Sequence, residues 1–295
     1  MYFFPLYVII VLPKNGRKGN NMKDLLVKLF TSLAGEFSSA PQAWGPLHIA
    51  FFAIGLTAAI VFAVLLRKSS DKTFNRVLRS VGFVLLGMEV VKISFYYFAI
   101  HNCSLVDTAY LFPFQLCSLP IYMAPIASFL KKESTVRKAL LTFMMTYTFM
   151  SGFSAFVNPS GILMPHILPT FHSLIWHMLL VFIGLLIAVS GRGGYRFRDF
   201  FRAFVCFIIC CNIALFLNIL LPMLIPGADV NMFYLGPNRS SLIVFNTIYD
   251  KWDWVVQMRM YEIALSIGAF IVFVFARLGA RPKKISKKAK KKASK

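Results

Sequence analysis

Residues 112–120 read FPFQLCSLP, a cysteine between two prolines. They lie inside an apolar stretch, 110–130, long enough to cross a bilayer as a helix of about 20 residues. Pro120 has no N–H to give the carbonyl of Leu116 and its ring clashes there, so the stretch predicts a helix kinked beside Cys117, with free carbonyls. On that helix Gln115, Ser118 and Tyr122 form one polar stripe, and Cys117 stands at its edge, about 100° from Ser118. Two roles are open to the thiol. It is a small apolar residue that lets helices pack, or a nucleophile where the kink opens a cavity.

Outward from this stretch, the composition places the chain in a bilayer. Of 295 residues, 58% are hydrophobic and 15% charged, too few polar groups to cover a soluble domain. Seven apolar runs, near 47–66, 79–100, 110–130, 138–157, 169–190, 201–221 and 256–277, predict an all-α, polytopic protein of seven transmembrane helices. Arg67, Lys68, Lys72, Arg76 and Arg79 follow the first run, Lys131, Lys132, Arg137 and Lys138 the third, and Arg192, Arg196, Arg198 and Arg202 the fifth. The intervening loops around HNCSLVDTA and NPSGILMPHIL carry no Lys or Arg. Positive charge stays inside, so the N-terminus is expected outside and the C-terminus inside, in a multi-pass protein of the plasma membrane.

Three units are expected: an N-terminal segment 1–46, a transmembrane domain 47–277 and a basic tail 278–295. In the first, residues 1–12 are apolar but too short to span, and Met22 is an alternative start. After it, Leu25, Leu26, Leu29, Phe30, Leu33 and Phe37 have the spacing of an interfacial amphipathic helix. The net charge is +21, and nearly a third of the Lys and Arg lies in the last 19 residues. That placement points to anionic inner-leaflet lipids, with membrane lipids as the wider partner class and no specific nucleic acid. The five cysteines form no CxxC pair and show no metal spacing, and nothing in the sequence calls for a cofactor. The loop 222–255 is too long for a bare connection and is expected to form a lid or a re-entrant segment.

Ionisable and polar residues within membrane runs mark candidate sites. Counted along ideal helices, Cys117 and His177 both lie about 10 Å below the outer surface, with Lys92 and Glu89 at ~12 and ~17 Å. Asn212 and Asn218 fall in the outer half of their run, and Arg259 and Glu262 open the last one. Glu89 with Lys92, and Arg259 with Glu262, are i,i+3 pairs able to neutralise each other, as structural ion pairs or as a substrate site. His172 and His177 are five apart, about 140° around a helix, so they cannot share a metal from one unbroken helix.

LFPFQLCSL, the Glu89–Lys92 pair, ILPTFHSLIWH (167–177) and NMFYLGP (231–237) together resemble the YwaF-type family of bacterial integral membrane proteins, over roughly residues 45–275. The family pattern Leu-Pro-apolar-His-Leu-Cys is met by Pro113, Leu116 and Cys117, with Gln115 where the family has His. His177 matches a family histidine, and Asn231, Leu235 and Pro237 are similar to its Asn-Tyr-Met-Tyr-Leu segment. Most bacterial members have no assigned activity. The resemblance also reaches animal membrane acyltransferases that act on glycerophospholipids through a cysteine.

Three readings follow. As an acyltransferase, Cys117 attacks a lipid ester, His177 takes the thiol proton, and Gln115, Ser118 or Lys92 stabilises the oxyanion. Tyr122, Glu89, Asn218, Asn231, Arg259 and Glu262 complete the expected substrate site, in a cavity opening to the outer leaflet. As a small-molecule transporter, the chain needs access from both sides, which its apolar inner half opposes. As a lipid- or ligand-binding bundle, it turns nothing over.

Overall fold

Pro113 and Pro120 decide what the third apolar stretch becomes. In the computed structural model, which describes residues 17–237 and 243–280, residues 112–119 are not helical. The chain makes one helical turn over Leu105–Thr108 and a 3₁₀ turn over Ala109–Leu111, unwinds, and winds again at Pro120. Proline in a first turn forfeits no helical hydrogen bond, so Pro120 starts a helix here where the sequence predicts a kink. That helix, Pro120–Phe129, has 10 residues. At 1.5 Å per residue it spans about 15 Å, half a hydrocarbon core. The expectation of a single kinked helix over 110–130 is corrected accordingly. Among the described residues six helices are long and apolar enough to cross, and the segment at 110–130 is the broken one.

The elements, in order, are α1 (Arg17–Ser32), α2 (Pro46–Leu66), α3 (Asp71–Ile100), α4 (Pro120–Phe129), α5 (Thr135–Val157), α6 (Ile167–Val189), α7 (Phe197–Leu224), α8 (Ile243–Lys251) and α9 (Trp254–Gly279). No strand occurs among the described residues beyond one isolated pairing, Glu36 with His166. Starts follow local chemistry. Pro46 opens α2, Ser70 caps α3 through the N–H of Thr73 (3.2 Å), and Asp253 caps α9 through the N–H of Val256 (2.9 Å). α5 is central, burying Leu140, Phe143, Met144, Tyr147 and Phe156 and widening into a π turn over Met144–Thr148. α2 is peripheral and buries only His48, Ala59 and Ala63.

Helix α4 lies close against α3 because Gly82 leaves room for Pro125. A Cβ at Gly82 would come within 2.5 Å of the proline ring. At one end, Lys132 just beyond α4 reaches Asp71 at the start of α3 (Nζ–Oδ2 2.7 Å). At the other, the N–H of Cys103 donates to the carbonyl of Tyr97 near the end of α3 (2.7 Å). Residues 101–129 therefore run the whole length of α3, although only their second part is a full helix.

α1 sets Phe30 on Phe98 (5.8 Å between rings) and leaves Leu25, Leu29 and Leu33 exposed. The strap behind it pairs with the entry to α6 through Phe37 N–H to the carbonyl of Pro165 (3.0 Å) and Ile167 N–H to that of Gly35 (2.9 Å). The apolar residues 1–12 and the basic tail from 281 onward lie outside the described residues.

Candidate functional site

Unwound backbone at membrane depth persists only where its polar groups find partners inside the protein. Here the partners come from a second irregular segment, the turn at 231–236. Gln115 grips that turn with both ends of its amide: Nε2 donates to the carbonyl of Asn231 (3.0 Å), and Oε1 accepts from the N–H of Phe233 (2.7 Å). Asn218 of α7 does the same at Met232, donating to its carbonyl (3.1 Å) and accepting from its N–H (2.6 Å). Asn231 accepts from the N–H of Gly236 (2.8 Å), and the Trp254 indole N–H donates to the carbonyl of Leu235 (2.8 Å). Phe233 and Tyr234 are left-handed, with φ of 57° and 55°. Each such bulky residue costs about 1–2 kcal/mol, and the amide grips and the burial of Phe233 between Phe114 and Phe207 offset that strain. Gln115, Asn218 and Asn231 thus hold backbone. On the unwound segment itself, the Tyr122 hydroxyl donates to the carbonyl of Pro113 (3.0 Å).

The segment so held presents Cys117. The indole N–H of Trp176 donates to the Cys117 carbonyl (3.1 Å), anchoring it to α6. Cys117 is partly buried and its neighbour Ser118 fully so. Lys92 Nζ stands 2.6 Å from Glu89 Oε1 and 5.8 Å from the centre of the Trp176 ring. Glu89 is 2% exposed, and Lys92 is the sole cation its carboxylate meets among the described residues. Both charges are electrostatic neighbours of the Cys117 thiol, and Lys92 is also a neighbour of the imidazoles of His172 and His177. Lys92 is therefore the hub of the cluster.

The tautomers of both imidazoles follow from their anchors. His177 Nδ1 lies 2.7 Å from the carbonyl of Ser173, and a carbonyl only accepts, so Nδ1 carries the proton and Nε2 a free lone pair. His172 Nε2 lies 3.1 Å from the carbonyl of Met88, which leaves the lone pair on Nδ1. That Nδ1 is buried and has no partner among the described residues. The His172 ring stacks on Trp176 at 5.3 Å. His177 makes no hydrogen bond to Cys117 among those described. Sequence reasoning singled out neither Trp176 nor a proton-accepting role for His172, yet both stand in ILPTFHSLIWH at i,i+4, one face of a helix.

A groove of about 910 Å³ between α3, α6 and the strap after α1 meets this cluster at His172. Val84, Val91 and Phe171 line its exposed part, and it ends at Met88 and His172. Arg259 and Glu262 form a separate pair on α9 (Nη1–Oε2 2.7 Å), with Glu262 buried and in electrostatic contact with Cys211 of α7. Asn212, expected among the outer polar groups, is exposed and donates to its own helix at the carbonyl of Ile208 (2.8 Å). No set of three or more His, Cys, Asp and Glu side chains able to hold a metal occurs among the described residues.

No curated protein and no solved structure matches the chain in the comparisons made. The TMEM164 family model matches residues 39–277, a span that takes in the broken third segment, the Glu89–Lys92 pair, both imidazoles and the buried turn. The chain is an integral, multi-pass membrane protein and belongs to the TMEM164 family.

Proposed function

We propose that the protein is a cysteine-dependent acyltransferase acting on membrane glycerophospholipids. The observation that carries the reading is the placement of Cys117. It sits on unwound backbone as an electrostatic neighbour of the buried Glu89–Lys92 pair, and its carbonyl is tied to Trp176 of α6, the helix that carries two imidazoles with a free lone pair each; one of these, His172, lines a groove with an exposed apolar mouth. In the reaction, an imidazole of α6 takes the thiol proton, and the sulfur attacks the ester carbonyl of a phospholipid. The C–S bond forms, the ester C–O bond breaks, and the lysophospholipid leaves with the proton from the imidazolium. A hydroxyl of an acceptor lysophospholipid then attacks the thioester, gives its proton to the same imidazole and releases the thiolate. Lys92 supplies positive charge to thiolate and oxyanion alike. Gln115, with both amide atoms engaged, holds the turn and takes no part in the oxyanion site.

In this reading the broken segment 101–129 completes a seventh crossing, with the N-terminus outside, the C-terminus inside and the groove facing the outer leaflet of the plasma membrane. The test is transfer of a labelled acyl chain from phosphatidylcholine to lysophospholipid by purified protein in liposomes. Transfer should fall to background in Cys117→Ala. Transfer at the parent rate in that variant overturns the reading.

A further inference from the structure

The end of the bundle rich in Lys and Arg contains a pocket of about 390 Å³ that the acyl-transfer reading does not use. Three chain reversals build it: the turn from α2 to α3, the loop from α4 to α5, and the turn from α6 to α7. Arg67, Lys68, Lys132, Arg137, Lys138 and Arg192 line it, with Asp71 the one acid among the lining residues. Asp71 already bridges two of these cations, Lys132 at Oδ2 (2.7 Å) and Arg192 at Oδ1 (3.2 Å), which ties all three reversals together. Arg192 also stacks on Phe74 (4.5 Å) and donates to the carbonyl of Ser69. Arg137 is 4% exposed, and its hydrogen bonds go to neutral acceptors, Asn75 Oδ1 (2.6 Å) and the carbonyl of Leu130 (2.8 Å). Outside the lining, Glu133 is the further acid acting on Arg137.

Retention of positive charge on one side of the membrane accounts for cations spread over solvated loops. It does not account for six of them converging on a concavity, or for burying a guanidinium among neutral partners. Cations this close repel unless an anion lies between them. Guanidinium forks and ammonium groups together match the oxygens of a phosphate. We propose that this pocket binds a phosphate-bearing anion of two or more negative charges, drawn from a lipid headgroup of the adjoining leaflet or from solution. The inference is independent of the role of Cys117.

The test uses the full-length protein in nanodiscs and three probes: phosphatidylinositol bisphosphate, soluble inositol trisphosphate, and phosphatidylserine at matched surface charge. Lys68→Gln with Lys138→Gln removes two exposed pocket charges and leaves the Asp71 bridges and Arg137 in place. Lys287→Gln with Lys288→Gln removes the same charge from the tail. The pocket pair is expected to weaken binding of the bisphosphate lipid or the trisphosphate about tenfold, and the tail pair less than about twofold. Competition by soluble trisphosphate supports a ligand from solution, and lipid binding that it cannot displace supports a headgroup. Equal effects of the two variant pairs, or no preference for either phosphorylated probe over phosphatidylserine, overturn the proposal.

Discussion

Trp176 donates its indole N–H to the carbonyl oxygen of Cys117 across 3.1 Å, while Lys92 stands over the same indole ring at 5.8 Å and His172 stacks on it at 5.3 Å. One side chain of α6 therefore positions the cysteine, the cation and an imidazole together. Trp176→Phe keeps an aromatic ring and deletes the donor. It should destabilise the protein by about 1–3 kcal/mol, the cost of leaving a buried carbonyl unpaired. Thermal unfolding in detergent reads the loss. Acyl transfer should fall further than stability accounts for, with the change in kcat and not KM. An unchanged melting midpoint would remove this contact from the account.

Gln115 and the turn at 231–236 make a second prediction. Gln115→Glu retains an acceptor for the N–H of Phe233 and loses the donor to the carbonyl of Asn231, whereas Gln115→Leu loses both. Hydrogen exchange at residues 230–236 should rise modestly in the first variant and strongly in the second. Equal protection in parent and Gln115→Leu would mean that the turn holds itself.

The Glu89–Lys92 pair separates stability from chemistry. Glu89→Leu alone, or Lys92→Met alone, leaves an unpaired charge in a buried setting and should cost about 3–5 kcal/mol. The double variant should recover most of that stability, because replacing both charges by apolar groups removes the desolvation penalty. It should remain inactive, since Cys117 then has no neighbouring cation. A double variant that is both stable and active would reduce the pair to packing.

The crossing pattern is tested by labelling. In a Cys103→Ser background, Ser160→Cys in the loop before α6 should react with a membrane-impermeant maleimide on intact cells. Lys131→Cys, in the loop after α4, should react only after permeabilisation. Both positions are exposed on the protein. The reverse pattern would mean either that the topology is inverted or that residues 101–129 do not cross, and labelling of both sites from outside would mean that α5 does not cross.

The long helices were legible because an unbroken apolar run has one way to satisfy its backbone in lipid. The third segment was not. Its composition matches a membrane helix, and periodicity is silent about partners more than 100 positions away, such as Asn231 and Phe233 for Gln115. The stripe of Gln115, Ser118 and Tyr122 assumed helical spacing, and so did the depth assigned to Cys117; both lost their basis when residues 112–119 unwound. The i,i+3 ion pairs survived because each lies within an unbroken helix. Gln115 in place of a histidine reads differently once its partners are seen: an amide can donate and accept at once across the turn, as the contacts to Asn231 and Phe233 require.

Trapping the acyl-enzyme asks whether Cys117 itself carries the acyl chain. Purified protein is incubated with phosphatidylcholine carrying an isotopically labelled acyl chain, quenched in acid, and mapped by peptide mass spectrometry. One labelled acyl group is expected on Cys117, removed by neutral hydroxylamine as a thioester is, and absent in Cys117→Ala. An unmodified Cys117 in protein that transfers acyl chains, or a label on another residue that persists in Cys117→Ala, would contradict a covalent role for Cys117.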